Sequence, residues 1–273
     1  VQLLQATSRF FLSYTYIMHV GGKTYKMFSP WGETSRQAEL QANQSALSSG
    51  FWSDSVVPVS PRSFCLSMPK GKGLGEAHHA LANQFMHDGL QRCLAYPRRP
   101  VNSFFDLCRL QQLERYGLRK HLIMQAVALL SDTKLPATSA HGDLHIGNMV
   151  LLHEQIRLID WAMYNSKGSF ITDYIHYYNY QVAVQQKQSW TVAIQGECGY
   201  LLRLSQLLHV KVNLLRLAYA ISRIYGEVWQ QQKPHLVPAM QIQKYNMVLD
   251  KLIKKNDQQC LALSYPYITR KQA

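Results

Sequence analysis

The chain has 273 residues, of which 47% are hydrophobic and 16% charged. That size and balance suit one domain or two tightly joined lobes around a sizeable core, and they exclude a disordered segment. No apolar run approaches the roughly 18 residues of a membrane span. The start, Val1-Gln2-Leu3-Leu4, lacks the basic-then-apolar pattern of a signal peptide. Five scattered cysteines without a CxxC pair point to a reducing, cytoplasmic setting rather than a disulfide framework or a zinc site. The net charge of +13 comes from 29 Lys and Arg spread along the chain. Such a field draws any small anion as readily as a polynucleotide, and without a recognisable binding module a nucleic-acid partner is not expected.

In chain order, Arg9 to Val20 is aromatic and β-branched, Gly21-Gly22 supplies a turn, and Lys23 to Phe28 returns, which predicts a hairpin. Pro30 to Gly32 breaks it. Glu33 to Leu47 is helix-forming and Ser48-Ser49-Gly50 stops it. Val56 to Val59 and Ser63 to Met68 read as short strands. Pro69-Lys-Gly-Lys-Gly73 reads as the joint between a small β-rich lobe, residues 1–69, and a larger helical lobe, residues 70–273. Beyond it, apolar residues recur at three- and four-residue intervals over 77–95, 103–116 and 118–131. Strand character returns at Met149–Leu152 and Ile156–Ile159. Helices are predicted again at 173–187, 197–208, 211–230 and 238–254. Within 211–230, Leu214, Leu217, Ala218, Ile221, Tyr225 and Trp229 form one stripe, the mark of a core face. The fold class is α+β.

The segment that carries chemistry is His141-Gly-Asp-Leu-His-Ile-Gly-Asn-Met-Val150, followed by Leu158-Ile-Asp-Trp161. Phosphoryl transfer from ATP to a hydroxyl needs a carboxylate beside the attacking oxygen and hard oxygen ligands that hold Mg²⁺ against the phosphates. Asp143 and Asn148 lie five residues apart, so a tight loop can aim one at the acceptor and the other at a metal. The protein-kinase catalytic loop has the same Asp-to-Asn interval. A hairpin over 149–160 would bring Asp160 back beside Asn148.

His141 to Val150 with Leu158 to Trp161 resembles the signature of the aminoglycoside phosphotransferase and choline kinase superfamily, which is similar to protein kinases in fold. The layout around Tyr200 and Trp229 also resembles bacterial thiamine kinases. The resemblance implies a protein-kinase-like bilobal fold, with residues 1–69 as the nucleotide-binding lobe. It implies ATP and Mg²⁺ as cofactors and a small-molecule hydroxyl, such as that of thiamine, choline or ethanolamine, as acceptor. It assigns Asp143 as catalytic base, Asn148 and Asp160 as metal ligands, His141 as the buttress of the loop, and His145 and Gly147 as loop-shaping residues.

On the nucleotide side the family's strand-end basic residue falls at Phe28 by register, with Lys26 two residues earlier on the same face. Its partner carboxylate is Glu39, although a common family spacing selects Asn43. Backbone groups near Met68, in Ser67-Met-Pro-Lys-Gly71, face the adenine edge. The family's nucleotide-covering loop falls on Ala6 to Thr15, which has hydroxyls (Thr7, Ser8, Ser13, Thr15) but no glycine. On the acceptor side stand Trp161, Tyr164, Tyr174, Tyr177, Tyr178 and Tyr180, with Trp190 and Trp229, whose ring faces would suit a cationic alcohol. Asp173 matches a second Asp of the family and is grouped with the acceptor residues, or else caps the helix that it opens. An aminoglycoside or sugar kinase, and a catalytically weak or inactive kinase-like binding protein, are the alternatives.

Overall fold

In the computed structural model, residues 15–230 and 237–264 are described. β1 (Thr15–Val20) and β2 (Lys23–Phe28) form an antiparallel hairpin. Gly21 and Gly22 at its tip both have positive φ, 54° and 74°, the geometry that a two-residue hairpin turn requires of both residues. The predicted start of this hairpin at Arg9, and the nucleotide-covering loop up to Tyr14, lie outside the described residues. After a 3-10 turn at Pro30–Gly32 comes α1 (Glu33–Leu47). Its buried face carries two polar residues, Glu39 and Asn43, with Ala46, spaced four and three apart along one side.

The predicted strand at Val56–Val59 does not form. The Asn43 amide donates to the Val57 carbonyl at 2.9 Å and accepts from the Val59 N–H at 3.1 Å, and the Val57 N–H makes only a lone β-bridge bond, to the Leu158 carbonyl at 3.0 Å. Two shorter strands follow, β3 (Ser60–Pro61) and β4 (Cys65–Pro69), and complete a four-stranded sheet in the order β1-β2-β4-β3. The chain then passes through β5 (Lys72–Gly73) into the helical lobe, starting with α2 (His79–Leu94).

A two-stranded ribbon pairs β6 (Arg98–Pro100) with β7 (Lys134–Pro136). Between them the predicted single helix at 103–116 is broken. Phe105 is extended, and the Asp106 side chain accepts from the Arg109 N–H to cap a short α3 (Leu107–Gln112). α4 (Lys120–Leu129) follows. β8 (Met149–Leu152) and β9 (Gln155–Leu158) make the predicted second hairpin, and β5 pairs with β8, so the joint between the lobes is tied to it. The remaining helices are α5 (Phe170–Gln185), α6 (Trp190–Ala193), α7 (Gly199–Leu208), α8 (Val212–Tyr225) and α9 (Ala239–Ser264). α8 runs into a π-turn at Gly226–Gln230.

One apolar core fills the helical lobe, and it extends into the segment that follows α1. Phe51 and Trp52 are buried against Phe170 and Trp161. The Trp52 indole N–H reaches the Ser139 carbonyl at 3.3 Å. A second, separate apolar patch of Val57, Met68 and Val150, with Val59 and Ile159 packed on it, lies between the sheet and the β8–β9 hairpin.

Candidate active site

The loop from Ala140 to Asn148 is held from below by α5. The Asp173 carboxylate accepts the His141 N–H at 2.7 Å and the Gly142 N–H at 2.8 Å. Gly142 has φ of +86°, and a Cβ there would strike the Met163 carbonyl oxygen, so the bend requires glycine. His141 is fully buried. Its Nε2 meets the Ile159 carbonyl at 3.0 Å, and its Nδ1 accepts the Asp143 N–H at 3.3 Å. Those partners place the proton on Nε2, and burial lowers the ring's proton affinity, so His141 is a neutral link between loop and hairpin.

The Asn148 amide N–H donates to the Asp143 carbonyl at 2.8 Å, which turns its Oδ1 the other way. The Ile159 N–H donates to the Asn148 carbonyl at 3.1 Å, so Asp160 emerges next to Asn148. Asp160 has left-handed backbone, φ 61° and ψ 66°, a conformation that Asp tolerates better than most residues and that is common at functional sites. Its carboxylate is 44% exposed. His145 shapes the turn beside these groups, its Nδ1 accepting the Gly147 N–H at 3.1 Å.

Lys26 crosses from the sheet to this hairpin. Its ammonium is 2.7 Å from Glu39 and 3.1 Å from Asp160. Burial alone would strip its proton, but the charges of Asp160 and Glu39 outweigh burial and hold it protonated. Phe28, the position selected by register, is instead buried, with its ring 5.9 Å from the Lys26 ammonium. Asn43, the alternative partner, is spent on Val57 and Val59. Of the two, Glu39 is the one paired with Lys26. Met68 sits in the apolar patch beside this cluster, 8% exposed.

Asp143 carries contacts that the sequence reading missed. Its Oδ1 meets Arg223 Nη1 at 2.7 Å and His176 Nε2 at 3.2 Å. Burial would raise the carboxyl's proton affinity, but the His176 hydrogen bond and the Arg223 charge override it, and Asp143 stays ionised. His176 Nδ1 faces the Tyr219 hydroxyl at 3.0 Å, which leaves the proton on Nε2 for Asp143. Burial, then the Arg223 charge, pushes the His176 pKa down to about 3, so the ring is neutral. Asp173, His176 and Tyr180 lie three and four apart on α5, one helical face turned to the loop. That spacing was the available signal for His176; nothing comparable marks Arg223.

The acceptor assignments need correction. Trp161 and Tyr177 are 1% and 0% exposed. The Trp161 indole donates to the Leu158 carbonyl and the Tyr177 hydroxyl to Asn83, so both are core residues. Asp173 is buried under the loop, where loss of solvent raises its pKa to about 7. Its two backbone bonds make it a support of the loop rather than an acceptor ligand. Tyr164 packs edge-on against Trp161, with its hydroxyl 3.5 Å from the Ser45 carbonyl of α1. Beside Asp143, His145 stacks on Tyr180, with ring centroids 4.3 Å apart. The other oxygen of Asp143, Oδ2, lies 3.9 Å from His145 Nε2.

Among the described residues no three His, Cys, Asp or Glu side chains converge as a self-sufficient metal site. One carboxylate and one amide oxygen, from Asp160 and Asn148, suit a hard cation that draws its remaining ligands from phosphates and water.

No protein-family model matches the chain, and no curated protein matches it in sequence. Among solved structures, a thermostable mutant of aminoglycoside phosphotransferase APH(4)-Ia, apo form, aligns with a TM-score of 0.51 at 11% identity. The alignment covers 89% of this chain and 94% of that one. The fold is that of an aminoglycoside phosphotransferase. It is the kinase-like bilobal arrangement, α+β, with a small sheet lobe and a larger helical lobe. A choline/ethanolamine kinase family protein from Mesorhizobium loti aligns with a TM-score of 0.48 at 10% identity, over 88% of this chain and 85% of that one. A choline kinase from Cryptosporidium parvum Iowa II aligns at 0.40 and 9% identity, over 92% and 90%. No helix among the described residues is long and apolar enough to cross a membrane.

Proposed function

We propose that the chain is an ATP- and Mg²⁺-dependent phosphotransferase that moves the γ-phosphoryl group to the hydroxyl of a small molecule. One observation carries this reading. The Lys26 ammonium is held between Glu39 and Asp160, at 2.7 and 3.1 Å, and the Asp160 hairpin is bonded to the loop that presents Asp143. A strand lysine paired with a helix glutamate, beside a metal-binding Asp, is the arrangement that protein kinases need in place for phosphoryl transfer.

In this reading Lys26 grips the phosphates, and Val57, Met68 and Val150 give the base an apolar bed, with backbone groups near Met68 at its edge. Asn148 Oδ1 and the Asp160 carboxylate would hold Mg²⁺, which when bound neutralises phosphate charge. Asp143 orients the acceptor hydroxyl and takes its proton. The acceptor oxygen forms the new P–O bond as the bond to the β-phosphate oxygen breaks, ADP leaves, and the proton passes from Asp143 to solvent.

The acceptor is an alcohol of the size of choline, ethanolamine or thiamine. With Trp161 and Tyr177 in the core, the His145–Tyr180 stack is the aromatic wall left to meet it. The test is ADP release with choline, ethanolamine, thiamine, aminoglycosides and amino sugars, for the wild type and Asp143→Ala. Turnover with one acceptor, lost in a folded Asp143→Ala protein, supports the reading. An unchanged rate in the variant, or no thermal shift with millimolar MgATP, would sink it.

A further inference from the structure

Arg223 is an unusual residue to find where it lies. It sits on α8, a helix whose other described positions mostly feed the core, and its side chain is only 13% exposed. Burying a guanidinium costs several kcal/mol unless each contact is well made. Here one Nη1 group donates both to the Gly142 carbonyl at 2.8 Å and to Asp143 Oδ1 at 2.7 Å. The Nε–H donates to Glu227 at 2.6 Å, and the other oxygen of Glu227 accepts the Tyr245 hydroxyl from α9. Glu227 stands in the π-turn that ends α8, a local widening that is frequent at functional sites. A line of charge-assisted bonds therefore runs from α9 through Glu227 and Arg223 to the loop.

The line ends on one oxygen. Arg223 and His176 both bind Oδ1 of Asp143, whereas Oδ2 has His145 at 3.9 Å, beyond hydrogen-bond reach. A carboxylate fixed through one oxygen cannot spin, so the oxygen offered to a hydroxyl is decided in advance. Such preorganisation is what an orienting base requires.

Resting on the phosphotransfer reading, we propose that Arg223, itself locked by Glu227, is a positioning residue for Asp143: it holds Oδ1 from the helical lobe and leaves Oδ2 to meet the acceptor. Arg223→Lys keeps the charge but cannot reach Gly142, Asp143 and Glu227 at once, because lysine lacks the planar fork.

The experiment compares wild type, Arg223→Met, Arg223→Lys, Glu227→Gln, Asp143→Asn and the Arg223→Met/Asp143→Asn double variant. ADP release is measured with MgATP and the acceptor panel, and thermal unfolding is measured in parallel. Arg223→Met is expected to lower kcat about 100-fold with KM for ATP within about twofold, a split that general destabilisation does not produce. Arg223→Lys should recover about tenfold of that loss, and Glu227→Gln should fall between them. The unfolding midpoints of Arg223→Met and Asp143→Asn should combine non-additively. A kcat for Arg223→Met within about threefold of wild type, a loss carried wholly by KM, or additive midpoints would each overturn the proposal. A wild type that releases no ADP with any acceptor counts against the phosphotransfer reading; the unfolding cycle, which needs no turnover, then decides whether Arg223 holds Asp143.

Discussion

Two charge clusters flank the Ala140–Asn148 loop, and they are built differently. Between the sheet and the β8–β9 hairpin, Lys26, Glu39 and Asp160 form a compact triad in which one cation is shared by two carboxylates. In the helical lobe, Asp143 is the shared member, clasped by Arg223 and His176, with Glu227 and Tyr245 behind. The first cluster holds one lysine between two carboxylates. The second leaves one carboxylate oxygen open. In each, the group meant to act is over-determined by its neighbours, so its charge and direction are set before any ligand arrives.

The comparison is broken most directly at Asp143. Asp143→Asn should lower kcat by about 1000-fold or more in the ADP-release assay while the far-UV spectrum is unchanged, because the amide cannot take the proton. Lys26→Met comes next, with about a 100-fold loss in kcat/KM for ATP and a smaller MgATP thermal shift. It also leaves Glu39 buried and unpaired, which costs about 3–5 kcal/mol in urea unfolding. If nucleotide affinity survived this change, the triad would be structural only.

Asp173→Asn tests the support beneath the loop. An amide can keep one of the two backbone bonds but sets an N–H against the other, a loss of about 1–3 kcal/mol in unfolding free energy. The variant should also turn over more slowly, since the bend at Gly142 loosens.

The Asp143 cluster should also show in the pH dependence of stability. His176 is neutral in the fold, its pKa held down to about 3, against an ordinary value of 6.5. A histidine so depressed contributes full stability above about 6.5 and loses it as pH falls towards 3, because the unfolded chain takes the proton first. Between pH 7.5 and 5, wild type should therefore lose about 2 kcal/mol more than His176→Gln in urea unfolding. Equal losses would mean that the ring protonates freely in place.

The smallest effect belongs to Tyr177→Phe. Loss of its bond to Asn83 should cost about 1 kcal/mol, with no change in acceptor KM. A raised KM would return this ring to the acceptor site.

Much of this was readable in the linear chain, for identifiable reasons. The Gly21-Gly22 turn, the helix at 33–47 and the hairpin at 149–158 follow from local propensity and period, and all three are present. The interval from Asp143 to Asn148 and the return to Asp160 are likewise local, set by one loop and one hairpin. Other features turned on distant partners. In the strand predicted at 56–59, the Val57 carbonyl and the Val59 N–H went to Asn43 instead of a neighbouring strand. Phe28 and Lys26 share a strand face, and only the packing of α1 against the sheet chose the lysine. Trp161 and Tyr177 have the same composition whether they line a cleft or fill a core, and burial decided for the core.

Sequence by itself determined the α+β outline, the hairpin that returns Asp160 beside Asn148 and the apolar character of α8, because each depends on residues near one another along the chain. Tertiary structure alone decided that Arg223 reaches Asp143 across 80 positions. Helical periodicity names the face that is apolar. It cannot name the loop that an isolated buried cation will meet, since that is fixed by how α5, α8 and α9 pack together.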